Sequence, residues 1–158
     1  MKLIYNVLLM IIFSFILQYY LMSYLMVNNI NNITNSLGKI YISTIMALSM
    51  GIIEVGMDDF MMNRLTWIYY IVLFILLFIS IIAYKKQIGI TDIEYIKEMI
   101  EHHSMALLTS EEILNKTSNY HIKKLASNIK TTQSEEIQYM KLLKEKMQYN
   151  DLNYKLDN

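Results

Sequence analysis

Apolar and polar residues are distributed on two different scales along this chain. In the first half they form long blocks. Leu3 to Val27 carries no charge, a second apolar block runs from about Ile40 to Met57, and a third from Trp67 to Tyr84. A spanning helix needs roughly 20 predominantly apolar residues, so the pattern predicts three transmembrane helices, at about 3–27, 40–57 and 67–84. The first is far longer than the ~7–15-residue core of a signal peptide and no small-x-small cleavage site follows, which predicts a retained anchor. The second is the weakest. It carries Gly51 as a small packing residue and Glu54, a carboxylate that is costly unless it faces another helix or the interface. The third is the clearest, with aromatic residues at its start and Lys85 and Lys86 at its exit. Between the blocks lie an Asn-rich linker, Asn28 to Gly38, read as punctuation, and a short polar turn, Asp58 to Arg64.

Beyond residue 87 the apolar positions recur at three and four. Thr91 with Glu94 forms a capping box, so a helix is expected to start near Asp92. Its stripe is Ile93, Ile96, Met99, Ile100, His103, Ala106, Leu107 and Ile113, with Lys97, Glu98, Glu101, Glu111 and Glu112 mostly outside it. After a break at Asn115–Asn119, a second stripe follows: Ile122, Leu125, Ala126, Ile129, Gln133, Ile137, Met140 and Leu143. The expectation is an antiparallel helical hairpin over 88–148 after a three-span membrane region over 1–87, with 149–158 as a frayed tail. Two helices bury too little apolar surface to be comfortably stable. The hairpin is therefore expected to pair with a second copy in a four-helix bundle, or to pack on the membrane segment.

Composition sharpens the class. A hydrophobic fraction of 54% without Pro or Cys, and a mean hydropathy of +0.29, are too apolar for a soluble domain of 158 residues. Lys+Arg and Asp+Glu both number 14, so no net field favours nucleic acid, and disulfides are excluded. Orientation is nearly a tie by charge. Lys2 and Arg64 fall on one side of the three spans and Lys39, Lys85 and Lys86 on the other, a weak vote for a cytoplasmic C-terminus.

Candidate chemistry sits in the hairpin. Met99 lies one turn before His102 and His103, so a thioether and an imidazole can face one point; the two histidines themselves diverge by about 100°, with His103 nearer the seam and His102 flanking it. On the facing helix Gln133, Glu136 and Met140 follow one turn apart. Thioether and imidazole without thiolate favour copper(I), and a carboxylate broadens the choice to other borderline metals. The plainer reading is a seam histidine satisfied by Glu136 or Gln133. His121, at the second helix's start, is expected in solvent. The chain's 13 Met include pairs one turn apart, Met22 and Met26, Met46 and Met50, and Met57 and Met61. These read either as a thioether ladder for copper(I) or as adaptable packing. No His-Glu-x-x-His, paired Glu-x-x-His, P-loop or glycine fingerprint is present, so no enzyme and no small-molecule substrate is read.

Two runs, "YIKEMIEHHSMALL" and "KKLASNIKTTQSEEIQYMKLL", resemble family 305 of the domains of unknown function, a ferritin-like helical family. The matching positions are Met99, His102, His103 and Ala106, then Leu125, Ala126, Ile129, Gln133, Glu136, Ile137 and Met140. The three preceding spans are similar to those of a membrane-bound branch. The resemblance implies copper binding, since family members include periplasmic copper-binding proteins, and a C-terminal domain on the non-cytoplasmic side, which is followed here against the charge vote. Glu101 stands where the family usually has Pro, and Thr109 where it commonly has a further Met. The expectation is thus an all-α, multi-pass membrane protein in contact with lipid, a homo-oligomer holding copper through Met99, His102, His103 and Met140, with Glu136 and Gln133 in support. The rival is a membrane-tethered oligomerisation module with structural histidines.

Overall fold

In the computed structural model, residues 2–156 are described, with side chains for residues 3–149. Every regular element among them is helical. The first helical run comprises α1 (Lys2–Ile16), a π-wound stretch (Leu17–Met22) and α2 (Ser23–Met26); a single 3-10 turn (Ile30–Asn32) precedes α3 (Leu37–Met62), and α4 (Trp67–Lys85), α5 (Asp92–Lys116) and α6 (Tyr120–Leu156) complete the order. Three stretches are long and apolar enough to cross a membrane: Leu3–Met26, Leu37–Met62 and Trp67–Lys85. The shortest spans about 28 Å at 1.5 Å per residue, close to the ~30 Å of a hydrocarbon core.

The chain divides into two compact units, one of Met1–Met22 with Leu37–Gly89 and one of Ser23–Ser36 with Ile90–Asn158. In the first, Leu3, Val7, Leu48, Val55 and Leu73 form the core, joined by Ile11 and Ile52. Small residues let α1 approach α3. A Cβ on Gly51 would stand 2.8 Å from Ile11 Cγ1, and Ser43 and Ala47 continue that buried row. Only Leu73 of α4 is buried, so most of that apolar helix is left uncovered within its unit.

The second apolar block is longer than its hydropathy suggested. Helix α3 runs on through Asp58 and Asp59, residues the pattern assigns to a polar turn, because Asp59 has partners. It accepts from Thr66 N at 2.8 Å and Thr66 Oγ1 at 2.9 Å and pairs with Arg64 Nε at 3.8 Å. The carboxylate thereby satisfies the first backbone donor of the α4 cap, and Arg64 also pairs with Asp58. Asn63, at φ 46°, turns the chain. Glu54 lies half-buried on α3.

In the second unit the start of α5 is where the capping residues place it, with Thr91 Oγ1 accepting from Glu94 N at 3.4 Å. Helix α6 starts on Asn119, whose Oδ1 accepts from His121 N at 2.9 Å. Ile96, Ile100, Leu107 and Ile137 form the seam, with Met140, Leu143 and Met147 packed on it. Helix α6 continues to Leu156, through the residues read as a frayed tail. Extending an existing helix needs no new nucleus, so the loss of apolar period did not end it.

The linker corrects the sequence reading most. It is not mere punctuation: residues 23–36 lie along α5 as a strap and give the hairpin its third element. Ser104, fully buried, donates to Asn28 Oδ1 at 2.7 Å and accepts from Asn28 N at 3.2 Å and Asn32 Nδ2 at 3.1 Å. Glu101, also buried, accepts from Thr34 N at 2.9 Å, while Thr34 Oγ1 donates to the Lys97 carbonyl at 2.6 Å. From α6, Lys141 Nζ donates to Asn32 Oδ1 at 2.6 Å. Buried polar groups are tolerated only when paired, and here the pairing itself holds the strap down.

Two outcomes check this packing in the full chain held in lipid nanodiscs. Ser104→Ala strands Asn28 and Asn32 donors and should cost about 1–3 kcal/mol, with faster hydrogen exchange confined to residues 28–36; unchanged exchange there would contradict the strap. Gly51→Leu should lower the thermal midpoint by overpacking α1 against α3, a cost of about 1–3 kcal/mol, whereas Gly56→Ala, whose Cβ meets Tyr70 Oη only at 3.6 Å, should leave it nearly unmoved.

Candidate functional site

The α5–α6 seam positions the candidate residues through its register. His103 Nδ1 lies 3.3 Å from Glu136 Oε2, and two turns further along, Glu111 meets Lys130 at 3.3 Å. The same antiparallel register sets Met99 opposite Met140, one turn from the His103–Glu136 level on each helix. Met140 packs against the apolar seam cluster, and Met99 is half-buried. Gln133 is half-buried one turn before Glu136.

His102 is not brought into the seam. It is exposed, its ring 6.0 Å from that of His103 between centroids and tilted by 58°, as the divergence of adjacent helical residues requires. Glu101 is corrected too: it faces Thr34 of the strap. Thr109 returns its hydroxyl to the Met105 and Ala106 carbonyls at 3.2 and 3.1 Å. His121 is exposed and stacks edge-on with Tyr120. The methionine pairs do not make an internal ladder: Met22, Met26, Met46, Met57 and Met61 all have exposed side chains.

Two polar atoms set the seam apart. Among the described residues, His103 Nδ1 and Gln133 Oε1 are buried without a hydrogen-bond partner. The His103–Glu136 contact is close enough for an ion pair, but its alignment is not that of a hydrogen bond. Burial pushes the His103 imidazole below its ordinary value of 6.5; Glu136 opposes the shift and His102 adds to it. A neutral imidazole with a free nitrogen lone pair beside a carboxylate, with an amide oxygen one turn away on the facing helix, is a donor set that can take an ion. It is a small set. No group of three or more His, Asp or Glu side chains that could hold a metal gathers among the described residues.

The residues that pattern alone misses are Ser104, Glu101 and Lys141. A signal was present: Lys97, Glu101 and Ser104 recur at four and three beside the apolar stripe, a second row whose polarity matches an Asn-rich segment.

The architecture is that of an all-helical protein with three helices suited to a bilayer and a strapped helical hairpin. The model of the Domain of unknown function (DUF305) matches residues 92–155, which covers α5 and most of α6. The chain belongs to that family. An uncharacterized protein of Acanthamoeba polyphaga mimivirus is 33% identical over 135 residues, covering 85% of this chain and 88% of the relative, so the similarity extends into the apolar helices as well as the hairpin. No solved structure matches the chain.

The imidazole gives a pH dependence whose sign is determined. With its folded value depressed, His103 takes up a proton more readily in the unfolded chain, so its contribution to stability is complete above pH 6.5 and is lost as pH falls through the lower, folded value. In chelator, thermal stability of the wild type should therefore fall between pH 7 and about 5 more steeply than that of His103→Gln. Parallel curves would show that burial does not hold the imidazole neutral.

Proposed function

We propose that the chain is a membrane-anchored metal-binding protein that sequesters or hands on copper through the α5–α6 seam. The observation that carries this reading is the pair of buried, unpartnered acceptors on the seam, His103 Nδ1 facing Glu136 and Gln133 Oε1 one turn from it. A polar atom removed from water without a partner costs free energy that a ligand can return. His103 supplies an imidazole nitrogen, Met99 and Met140 stand at thioether positions one turn away, and Glu136 and Gln133 provide oxygen donors or orient the imidazole. Such a mixture suits copper(I) first and borderline divalent ions second. His102 belongs to the rim. The role is retention and transfer, not turnover.

Anchoring by three crossings is supported by the strap. Residues 28–34 follow the first apolar helix and bond to α5, which follows the third. The chain between them must therefore cross the bilayer an even number of times. As α4 is the most apolar of the three, α3 crosses with it, the weak second block included. The strapped hairpin is assigned to the non-cytoplasmic side, where copper is taken up or stored.

An anaerobic copper(I) competition titration on the full chain in nanodiscs tests the reading. His103→Ala and Met140→Leu should each weaken binding by about tenfold or more, and His121→Ala should not. An unaltered affinity in the first two, or no competition with a moderate chelator, would leave the histidines as structural groups of an oligomerisation module.

A further inference from the structure

The chain contains two Asn-x-Thr triplets and no Asn-x-Ser triplet: Asn32, Ile33 and Thr34 in the strap, and Asn115, Lys116 and Thr117 at the α5–α6 turn. Such a triplet is the acceptor for N-linked oligosaccharide, in which the side-chain amide is glycosylated with the help of a hydroxyl two residues on. By itself the triplet is a weak signal in an Asn-rich chain. The two copies, however, stand in opposite structural situations.

In the strap, Asn32 is 5% exposed. Its Nδ2 donates to Ser104 Oγ at 3.1 Å and to Asn28 Oδ1 at 3.3 Å, and its Oδ1 accepts from Lys141 Nζ at 2.6 Å. The Thr34 hydroxyl is committed as well, to the Lys97 carbonyl at 2.6 Å. A sugar on Asn32 Nδ2 would take one of the two donated hydrogens and force a bulky polar group against the fully buried Ser104. Glycosylation there and the strap exclude each other. At the turn, by contrast, Asn115 is the penultimate residue of α5 and is exposed, and among the described residues no hydrogen bond holds its side chain. Thr117 ends the helix through its backbone, at φ −82° and ψ 138°, with its N–H bonded to the Ile113 carbonyl. Its Oγ1 accepts from Asn119 N at 3.1 Å, and the hydroxyl hydrogen meets no acceptor among the described residues. Inside a helix, side chains two residues apart diverge by about 200°. The extended backbone at Thr117 frees this triplet from that divergence, at a helix end where fraying is expected.

We infer that Asn115 is an acceptor for N-linked glycosylation and that Asn32 is not. The inference rests on the non-cytoplasmic assignment of the hairpin, the side on which such transfer takes place, and is independent of the copper reading. The co-reactant is an oligosaccharide joined through its anomeric carbon to a lipid pyrophosphate and presented by a membrane-bound transferase. Asn115 Nδ2 forms a bond to that carbon while the bond from the carbon to the pyrophosphate oxygen breaks. The lipid pyrophosphate leaves with the electron pair, one Nδ2 proton passes to a base of the transferase, and no oxidant or reductant is needed. Lys116, inside the triplet, has a side chain 70% exposed, and Ser118 beyond it is exposed, so the acceptor is open along its length. His103 lies about three turns back along α5, which leaves the seam residues clear of a glycan at the tip.

The test translates the full chain into sealed microsomes competent for N-glycosylation and reads the glycan as an electrophoretic step removed by peptide N-glycosidase. The wild type should carry one step. Asn115→Gln and Thr117→Val should each abolish it, Thr117→Ser should retain it, and Asn32→Gln should leave it unchanged. Thr117→Val preserves the backbone cap, so loss of the step reports the hydroxyl; helical content and thermal midpoint of the purified variants check that the fold persists. After enzymatic removal of the glycan, mass spectrometry should find Asp at position 115. Because the chain has no Cys, Ser118→Cys places a single thiol beside the triplet, and a membrane-impermeant maleimide reports which side it is on. Absence of the step with the thiol protected until detergent is added overturns the inference and leaves the orientation standing. Absence of the step with the thiol labelled in intact microsomes overturns both. A step that survives Asn115→Gln also overturns the inference, and if that step is lost in Asn32→Gln it refutes the strap.

Discussion

The hydrogen bonds between the strap and α5 are the constraint on which the rest of this structure depends. Ser104 and Glu101 are buried polar groups on a helix that would otherwise present them to water, and each is tolerable only because Asn28, Asn32 and Thr34 meet it at short distance. The dependence is mutual. Without α5 the strap would have no reason to order, since Asn-rich segments bury little apolar surface; without the strap, α5 would carry unsatisfied groups beside its apolar seam.

Three consequences follow from that constraint. The hairpin gains a third element, so one flank is covered by the strap and the other is left open. The pieces of chain before the second apolar helix and after the third are held together in one unit. The Glu101 side chain is drawn to the strap, and among the described residues His103 faces Glu136 across the seam with a buried Nδ1 that has no hydrogen-bond partner. A candidate ion site and an open face therefore share a cause: the strap decides which side of α5 is finished.

The apolar unit obeys a different rule. Its helices are long and apolar enough for a bilayer, and between such helices close approach depends on small side chains. Gly51, with Ser43 and Ala47, supplies that approach between α1 and α3, and α4 has no comparable row and leaves its bulky apolar residues outward. Asp59 closes the far turn by capping the helix that follows it. This part of the molecule packs by shape and the strapped hairpin by polar complementarity, and the exposed methionines belong to the first regime.

Much of the architecture is determined by the sequence alone. Helical periodicity, the Thr91 cap, the three apolar blocks and the divergence of His102 from His103 are local consequences of spacing, and local spacing survives whatever the chain later packs against. Helix ends were less legible where a distant partner set them, as Thr66 does for Asp59. What only the tertiary structure decided is which polar residues go inside. Glu101 reads as solvent-facing and Asn28 to Thr34 as a loop, because periodicity records the direction of a side chain and not what waits there; a polar stripe is exposed or buried according to the partner that another part of the chain supplies.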